Sequence, residues 1–392
     1  KNNYNFFPPL IYQVATAYLE PSSISYPFRK FFAGKKNLNF RLGEVLKVDQ
    51  AENKVILNNG ELFYDKLVFA SGAETSFFGM ENVEKNAIPM KTLNDAIEMR
   101  NKLLQNMEKA VLTKNIRERR KLLTVVVAGG GPTGVEVSGM LAEMRNGILR
   151  KEYPELETAA SNLYLVDGGN ALLSPMSKAS QKDTYNALTK MGVVVKLNTR
   201  VTDFKDDTVY FANGETIATK NLIWAAGVSA KQFDGIALES YGRGRRMATN
   251  AYNRVELTQN IFAIGDTSIM LTDEDFPNGH PQVAQVAIQQ GKNLAKNFVN
   301  ILRNKPLEAF KYNDKGSMAI IGKNKAVVDI PKPKLHFKGF FAWMVWLFIH
   351  LISLITYRNR FKTFYNWMVA YFAKDQSYRM IIRPERGNKS VE

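Results

Sequence analysis

Residues 122–139 read LLTVVVAGGGPTGVEVSG. The run 124–128 is β-branched and uncharged, as in a strand buried on both faces, and the residues that follow take up a 3.6-residue apolar spacing. Between them Gly129, Gly131 and Gly134 stand in the spacing G-x-G-x-x-G. Glycines so placed let the chain turn sharply, approach a pyrophosphate and bring helix against strand, while the helix N-terminus offers backbone N–H groups to phosphate. Strand, tight turn and helix in that order predict an α/β dinucleotide-binding domain of the Rossmann kind.

A second pattern lies on both sides of this one. Residues 54–73, KVILNNGELFYDKLVFASGA, and residues 208–228, TVYFANGETIATKNLIWAAGV, share strand, Asn-Gly turn, strand, and a buried strand ending in a small-residue loop. Gly60 matches Gly214 and Gly72 matches Gly227, so the chain carries two copies of one domain plan. The first copy's own glycine fingerprint is expected about 25 residues before Lys1, by the same offset. Together with the absence of an initial methionine, this reads as an N-terminally truncated chain. The expected organisation is a flavin-type domain over 1–112, a nicotinamide-type domain over 113–248, a return to the first domain over 249–330 and a C-terminal segment over 331–392. Within it, a short helix is expected over 11–18, an amphipathic helix over 93–113, a basic linker at 117–121 and an inserted excursion over 145–161.

Composition narrows the chemistry. There is no cysteine among the 392 residues, which excludes disulfides, thiolate metal sites and redox-active dithiols. The three histidines, His280, His336 and His350, are too scattered to suggest a metal cluster, and no metal is expected. A formal net charge of +16 calls for an anionic partner. From Pro331 onward 11 Lys and Arg stand against 3 Asp and Glu around the most apolar stretch, which favours an acidic membrane surface. No basic and aromatic nucleic-acid module is visible.

Several side chains are candidates for a site. Asp167, at the end of a strand over 163–166, is placed to accept from both ribose hydroxyls and to repel a 2′-phosphate; with no arginine in the following GGNALLSP, NADH is favoured over NADPH. Glu136 is expected in the first turn of the fingerprint helix, where the helix dipole alone would favour it or where it would face a nicotinamide carboxamide; both readings stand. Gly265 and Asp266 end a buried strand in NIFAIGDTSIM, as does an aspartate that binds a flavin ribityl chain. After Pro281, read as the first helical residue, Gln285 and Gln289 share one helix face, either as a surface stripe or as donors at a flavin edge. Residues 339–357, GFFAWMVWLFIHLISLITY, carry no charge apart from His350 and either span a bilayer or lie in its interface. Residues 361–373 read as an interfacial helix.

The motifs GGGPTGVEVSG, WAAGV, NIFAIGDTS and above all AQVAIQQG, with FFPPLIYQVAT and the C-terminal FKGFFAWMVWLFIHLISLITYRNRF, resemble the type II NADH:quinone oxidoreductases over essentially the whole chain. The resemblance implies non-covalent FAD reduced by NADH and reoxidised by a membrane quinone, ubiquinone or menaquinone, without proton pumping. It implies FAD contacts from Asp266, Gly265 and the loop Ala70 to Gly72, with Gln13 near the isoalloxazine. Gly129, Gly131, Gly134, Glu136 and Asp167 would bind NADH, Gly227 is counted with the cofactor contacts, and Gln285 and Gln289 would face the quinone. It places the protein on a lipid bilayer, at the cytoplasmic face of the inner membrane, and leaves room for a homodimer. Two alternatives remain: a ferredoxin or rubredoxin reductase, which leaves residues 339–357 unexplained, and an NADH-sensing flavoprotein akin to apoptosis-inducing factors.

Overall fold

The computed structural model describes residues 2–156, 162–372 and 378–382. The end of the expected excursion, 157–161, and Ala373 lie outside them. The chain divides by its contacts into two units, one made of Lys1–Asn3, Gly34–Ser76 and Val228–Lys315, the other of Tyr4–Ala33, Phe77–Gly227 and Gly316–Glu392. This division crosses the boundaries expected at 112, 248 and 330.

The second unit is built on the fingerprint strand. Val125–Ala128 is the middle of five parallel strands in the order Val193–Lys196, Leu163–Val166, Val125–Ala128, Asn221–Trp224, Ile88–Pro89. A central parallel strand is covered on both faces, which is why 126–128 are buried without alternation. The helix Leu93–Leu112 starts at Thr92 in a reciprocal capping box with Asp95. The basic run 117–121 is not a linker: it lies in a helix, Ile116–Leu123, whose first N–H groups donate to the Asn115 side chain. Residues 8–15 form a 3-10 turn, Pro8–Leu10, and a short helix, Ile11–Ala15, all but its flank buried.

The repeat is structural. In the second unit Val201–Lys205, Thr208–Phe211 and Thr216–Ala218 form an antiparallel three-stranded meander, with an irregularity between Val201 and Asp203. In the first unit Val45–Asp49, Lys54–Leu57 and Gly60–Phe63 do the same, with the irregularity between Val45 and Lys47. Each meander is followed by a strand that enters a parallel pairing, Asn221–Trp224 with Val125–Ala128 and Leu67–Phe69 with Ile261–Ala263.

The fingerprint helix Pro132–Met144 packs on the strand Ser317–Gly322 with no room to spare. A Cβ added at Gly139 would stand 1.8 Å from the Ile321 carbonyl oxygen. Ser317–Gly322 pairs antiparallel with Lys325–Ile330, and that strand with Leu335–Lys338, from which the helix Gly339–Ser353 leaves directly.

The stretch 339–357 is not one spanning helix. It stops at Ser353, turns, and a second helix begins at Tyr357 and runs to Phe372. Fifteen residues at a 1.5 Å rise reach about 22 Å, short of the hydrocarbon core; among the described residues no helix is long and apolar enough to cross a membrane. Both helices are instead two-faced. Ala342 and Trp346 are buried, while Phe340, Phe341, Met344 and Phe348 of the first helix and Phe361, Tyr365 and Phe372 of the second are exposed. His350 stacks on Trp346 with ring centroids 3.8 Å apart, and burial lowers its pKa to about 4, so this apolar helix carries no charge at neutral pH.

Two measurements check these contacts. Gly139→Ala is expected to cost about 1–3 kcal/mol of stability, because backbone rather than a flexible side chain must give way, read as a lowered denaturant midpoint. His350 takes up its proton in the unfolded chain before the folded one, so its contribution is complete above the ordinary value of 6.5 and is lost as pH falls towards 4. In thermal scans over that window the wild type should lose more stability than His350→Leu.

Candidate functional site

In the fingerprint loop the three glycines do different things. Gly129 has φ +116°, and a Cβ there would lie 2.4 Å from the Ala225 carbonyl oxygen; one at Gly134 would lie 1.8 Å from the Gly129 carbonyl oxygen. These two are demanded by the protein's own packing. Gly131 is different: a Cβ there would meet nothing within 4 Å. It is the N-cap of the helix, and no side chain caps the first-turn N–H groups. Open space beside unoccupied donors fits an approaching pyrophosphate.

Asp167 is held at this loop. Its carboxylate accepts the Gly130 N–H at 2.5 Å and the Gly169 N–H at 2.6 Å. It lines a cavity of about 570 Å³ with Gly129, Thr199, Arg200, Trp224 and Ala226. Gly227 follows; a Cβ there would stand 2.4 Å from the Phe78 ring, so this glycine makes room for an aromatic wall. Arg200 was not legible in sequence, since it reaches the cavity from beyond the next strand rather than from the loop after Asp167.

Glu136 lies beyond the first turn, because the helix begins at Pro132. It is buried, accepts the Ile320 N–H, and burial holds its carboxyl well above the ordinary carboxylate range. An exposed carboxylate stabilised by the helix dipole does not describe it. Tyr12, fully buried, feels the Glu136 charge, and its phenol is likewise pushed up, burial being the larger cause. Gln13 donates from Nε2 to the Tyr12 hydroxyl at 3.0 Å and accepts at Oε1 from Trp367 Nε1 at 2.7 Å. It also lines a largely apolar cavity of about 380 Å³ between the two C-terminal helices, with Met140, Trp343, Leu347, Phe364 and Trp367.

In the first unit, Ala70 to Gly72 follow the strand Leu67–Phe69, and Gly265 and Asp266 follow its partner Ile261–Ala263. Ser71 donates to Thr267 Oγ1 at 3.2 Å, joining the two loops. Gly72 (φ +69°) has open space where a Cβ would be, again room on the ligand side. The neighbouring helix is Ala284–Leu302, with Val283 as a cap that offers no side-chain bond; Pro281 is outside it. Gln289 uses both amide atoms on the Asn313 backbone at 3.0 Å, and Gln285 Oε1 accepts the Lys315 N–H at 3.2 Å. Gln290, next after Gln289 and unremarked in the sequence, is buried and accepts the Gly265 N–H at 2.7 Å. It fixes the turn that presents Asp266.

The histidines take ordinary structural partners. His280 pairs with Asp273 at 2.8 Å and His336 bridges Asp183 and Asp329.

Comparison with known proteins agrees with this geometry. A family model described as pyridine nucleotide-disulphide oxidoreductase matches residues 1–291, and one described as the NDH2 C-terminal domain matches residues 315–380. The latter covers the segment that a ferredoxin reductase leaves unexplained. The fold is similar to that of NDH2 from Plasmodium falciparum in complex with NADH, with TM-score 0.87 and 23% identity, over 97% of this chain and 93% of that one. Two curated relatives are the type II NADH:quinone oxidoreductases NdhA and Ndh of Mycobacterium tuberculosis. Ndh is 31% identical, over 95% of this chain and 82% of its own length. NdhA is 34% identical over 394 residues, 95% of this chain and 81% of its own length, and on that likeness the chain belongs to the type II NADH:quinone oxidoreductase family.

Proposed function

We propose that NADH docks on the second unit with its pyrophosphate at Gly131, its adenosine ribose at Asp167 and its nicotinamide toward Glu136. The loops Ala70 to Gly72 and Gly265 to Asp266 hold FAD, and a quinone enters the cavity beside Gln13. The activity is non-proton-pumping NADH:quinone oxidoreduction. FAD held by the loops Ala70 to Gly72 and Gly265 to Asp266 would supply the two-electron redox chemistry between NADH and quinone. The chain's own residues bind, orient and exclude water. The observation that carries the quinone part is the cavity, apolar along its length with a carboxamide in its wall.

Each side chain has a limited task in this scheme. Asp167 exchanges part of its grip on the loop for the ribose hydroxyls. Glu136, its carboxyl raised by burial, faces the nicotinamide carboxamide. Trp367 and Tyr12 fix the rotamer of Gln13, so that its amide is pre-oriented. That Gln285 and Gln289 face the quinone is carried over from the family resemblance; Gln289 binds the Asn313 backbone and Gln285 accepts the Lys315 N–H. The uncapped N-terminus of Ala284–Leu302 favours negative charge near it.

The protein is membrane-associated, and the exposed aromatic faces of the two C-terminal helices support a peripheral attachment. The excess of lysine and arginine in this segment supports the cytoplasmic leaflet, whose surface is anionic. A homodimer is carried over from the family resemblance.

Two variants test the assignments separately. Gly131→Val fits the fold but fills the ligand side, so it should raise the KM for NADH at least about tenfold with an unchanged unfolding midpoint; a wild-type KM would overturn the pyrophosphate site. Ala370→Phe, in the cavity wall, should raise the KM for a short-chain quinone by about tenfold or more while the KM for NADH stays put. Unaltered quinone kinetics would remove the cavity from the scheme.

A further inference from the structure

The fingerprint helix carries a second carboxylate, half-buried, seven residues after Glu136 and on the same face. Glu143 lies in the wall of the 380 Å³ cavity, among Met140, Ile320, Phe364 and Met368. Its Oε1 accepts the backbone N–H of Lys323, and the Tyr18 hydroxyl stands 3.4 Å from Oε2. A Cβ added at Gly322 would come within 2.6 Å of Oε1, so the chain is pared back to seat this carboxylate. Lys323 does not cover it with its ammonium, which reaches the Tyr371 carbonyl oxygen at 2.9 Å and lies 3.9 Å from the centre of the Tyr371 ring.

We propose that Glu143 is the proton donor to the quinone. The inference rests on the reading of the cavity as the quinone site. A quinone becomes a quinol by taking two electrons, which NADH supplies by way of the flavin, and two protons, one on each oxygen. Glu143 is the one carboxyl among the described side chains that line this largely apolar cavity. The O–H bond of the Glu143 carboxyl breaks as a quinol O–H bond forms, and the carboxylate left behind is reprotonated from solvent through the Tyr18 hydroxyl. One such transfer per quinone oxygen takes two protons from solvent, and the proton that leaves NADH within its hydride returns to solvent, so the sum is NADH + H⁺ + quinone → NAD⁺ + quinol.

The surroundings suit the role. Burial raises the Glu143 carboxyl above its ordinary range, against the Lys323 N–H, Lys325, the Tyr18 hydroxyl and the Lys323 charge, which lower it. The other titratable group that senses it is Tyr12, from the helix Ile11–Ala15. A purely structural Glu143 would be replaceable by glutamine, which has the same shape and can still accept from Lys323 N–H and Tyr18. A proton donor would not.

The test uses the full chain with its flavin and decylubiquinone as probe. Glu143→Gln should lower kcat for the quinone about a hundredfold, the usual scale for a general acid, and Glu143→Asp should restore part of the rate. In the wild type kcat should fall as pH rises through the pKa of Glu143; in Glu143→Gln that fall should be gone. Binding, read as quenching of the fluorescence of Trp343 and Trp367 in the cavity wall, should change by less than about threefold in Glu143→Gln. Wild-type kcat and pH profile in Glu143→Gln, with quenching intact, would overturn the proposal. If Ala370→Phe leaves both quenching and quinone KM unchanged, the cavity reading fails as well; if Ala370→Phe impairs both while Glu143→Gln is silent, only Glu143 falls.

Discussion

The second unit depends on a helix pressed backbone to backbone at two points. Gly134 lies against the Gly129 carbonyl and Gly139 against the Ile321 carbonyl, each too close for a methyl group. The first contact closes the fingerprint loop; the second seats the hairpin from which Gly339–Ser353 departs. One helix therefore positions the glycine-rich loop at its start and the C-terminal hairpin along its side. The side chains it turns inward, Glu136, Met140 and Glu143, form a row whose spacing is fixed by the helix itself.

Charge is handled differently along this row and at its edges. Glu136 is buried and Glu143 half-buried, and burial raises both carboxyls, against the Ile320 N–H at Glu136 and the Lys323 N–H and Lys325 charge at Glu143. Asp167 is instead satisfied by two backbone N–H groups. His350 is driven the other way, to about 4, so that the helix bearing it stays uncharged. Burial therefore raises the carboxyls along this helix and lowers His350, and it also lowers the guanidinium of Arg100, which this unit buries.

The parts of the fold that depend on local chemistry were legible in sequence. Glycine spacing, a β-branched run and the twice-used Asn-Gly turn led to the sheet and to the repeat. The misses share a cause, which is that the deciding partner is distant. The run 117–121 looked like a linker because its charge hid the Asn115 cap and the packing of Leu122 and Leu123. Pro281 pointed to a helix start three residues early, and the uncharged run 339–357 concealed a turn after Ser353. Within the site, Gln289 was noticed for its spacing, yet Asn313 claims it. Gln290, Arg200 and Glu143 went unnoticed because nothing in their neighbours announces Gly265, Asp167 or a cavity.

On the peripheral attachment proposed above, the bond from Trp367 to Gln13 joins a helix that would offer its other face to lipid with a residue in the interior. Lipid would thereby be part of the scaffold around Gln13: whatever supports the outer face of Tyr357–Phe372 also supports the amide on its inner side. Kinetics measured after extraction into detergent then depend on how well the micelle substitutes for the bilayer beneath that helix. Acyl-chain packing becomes a variable of the reaction in its own right, separate from its role as the medium that dissolves the quinone.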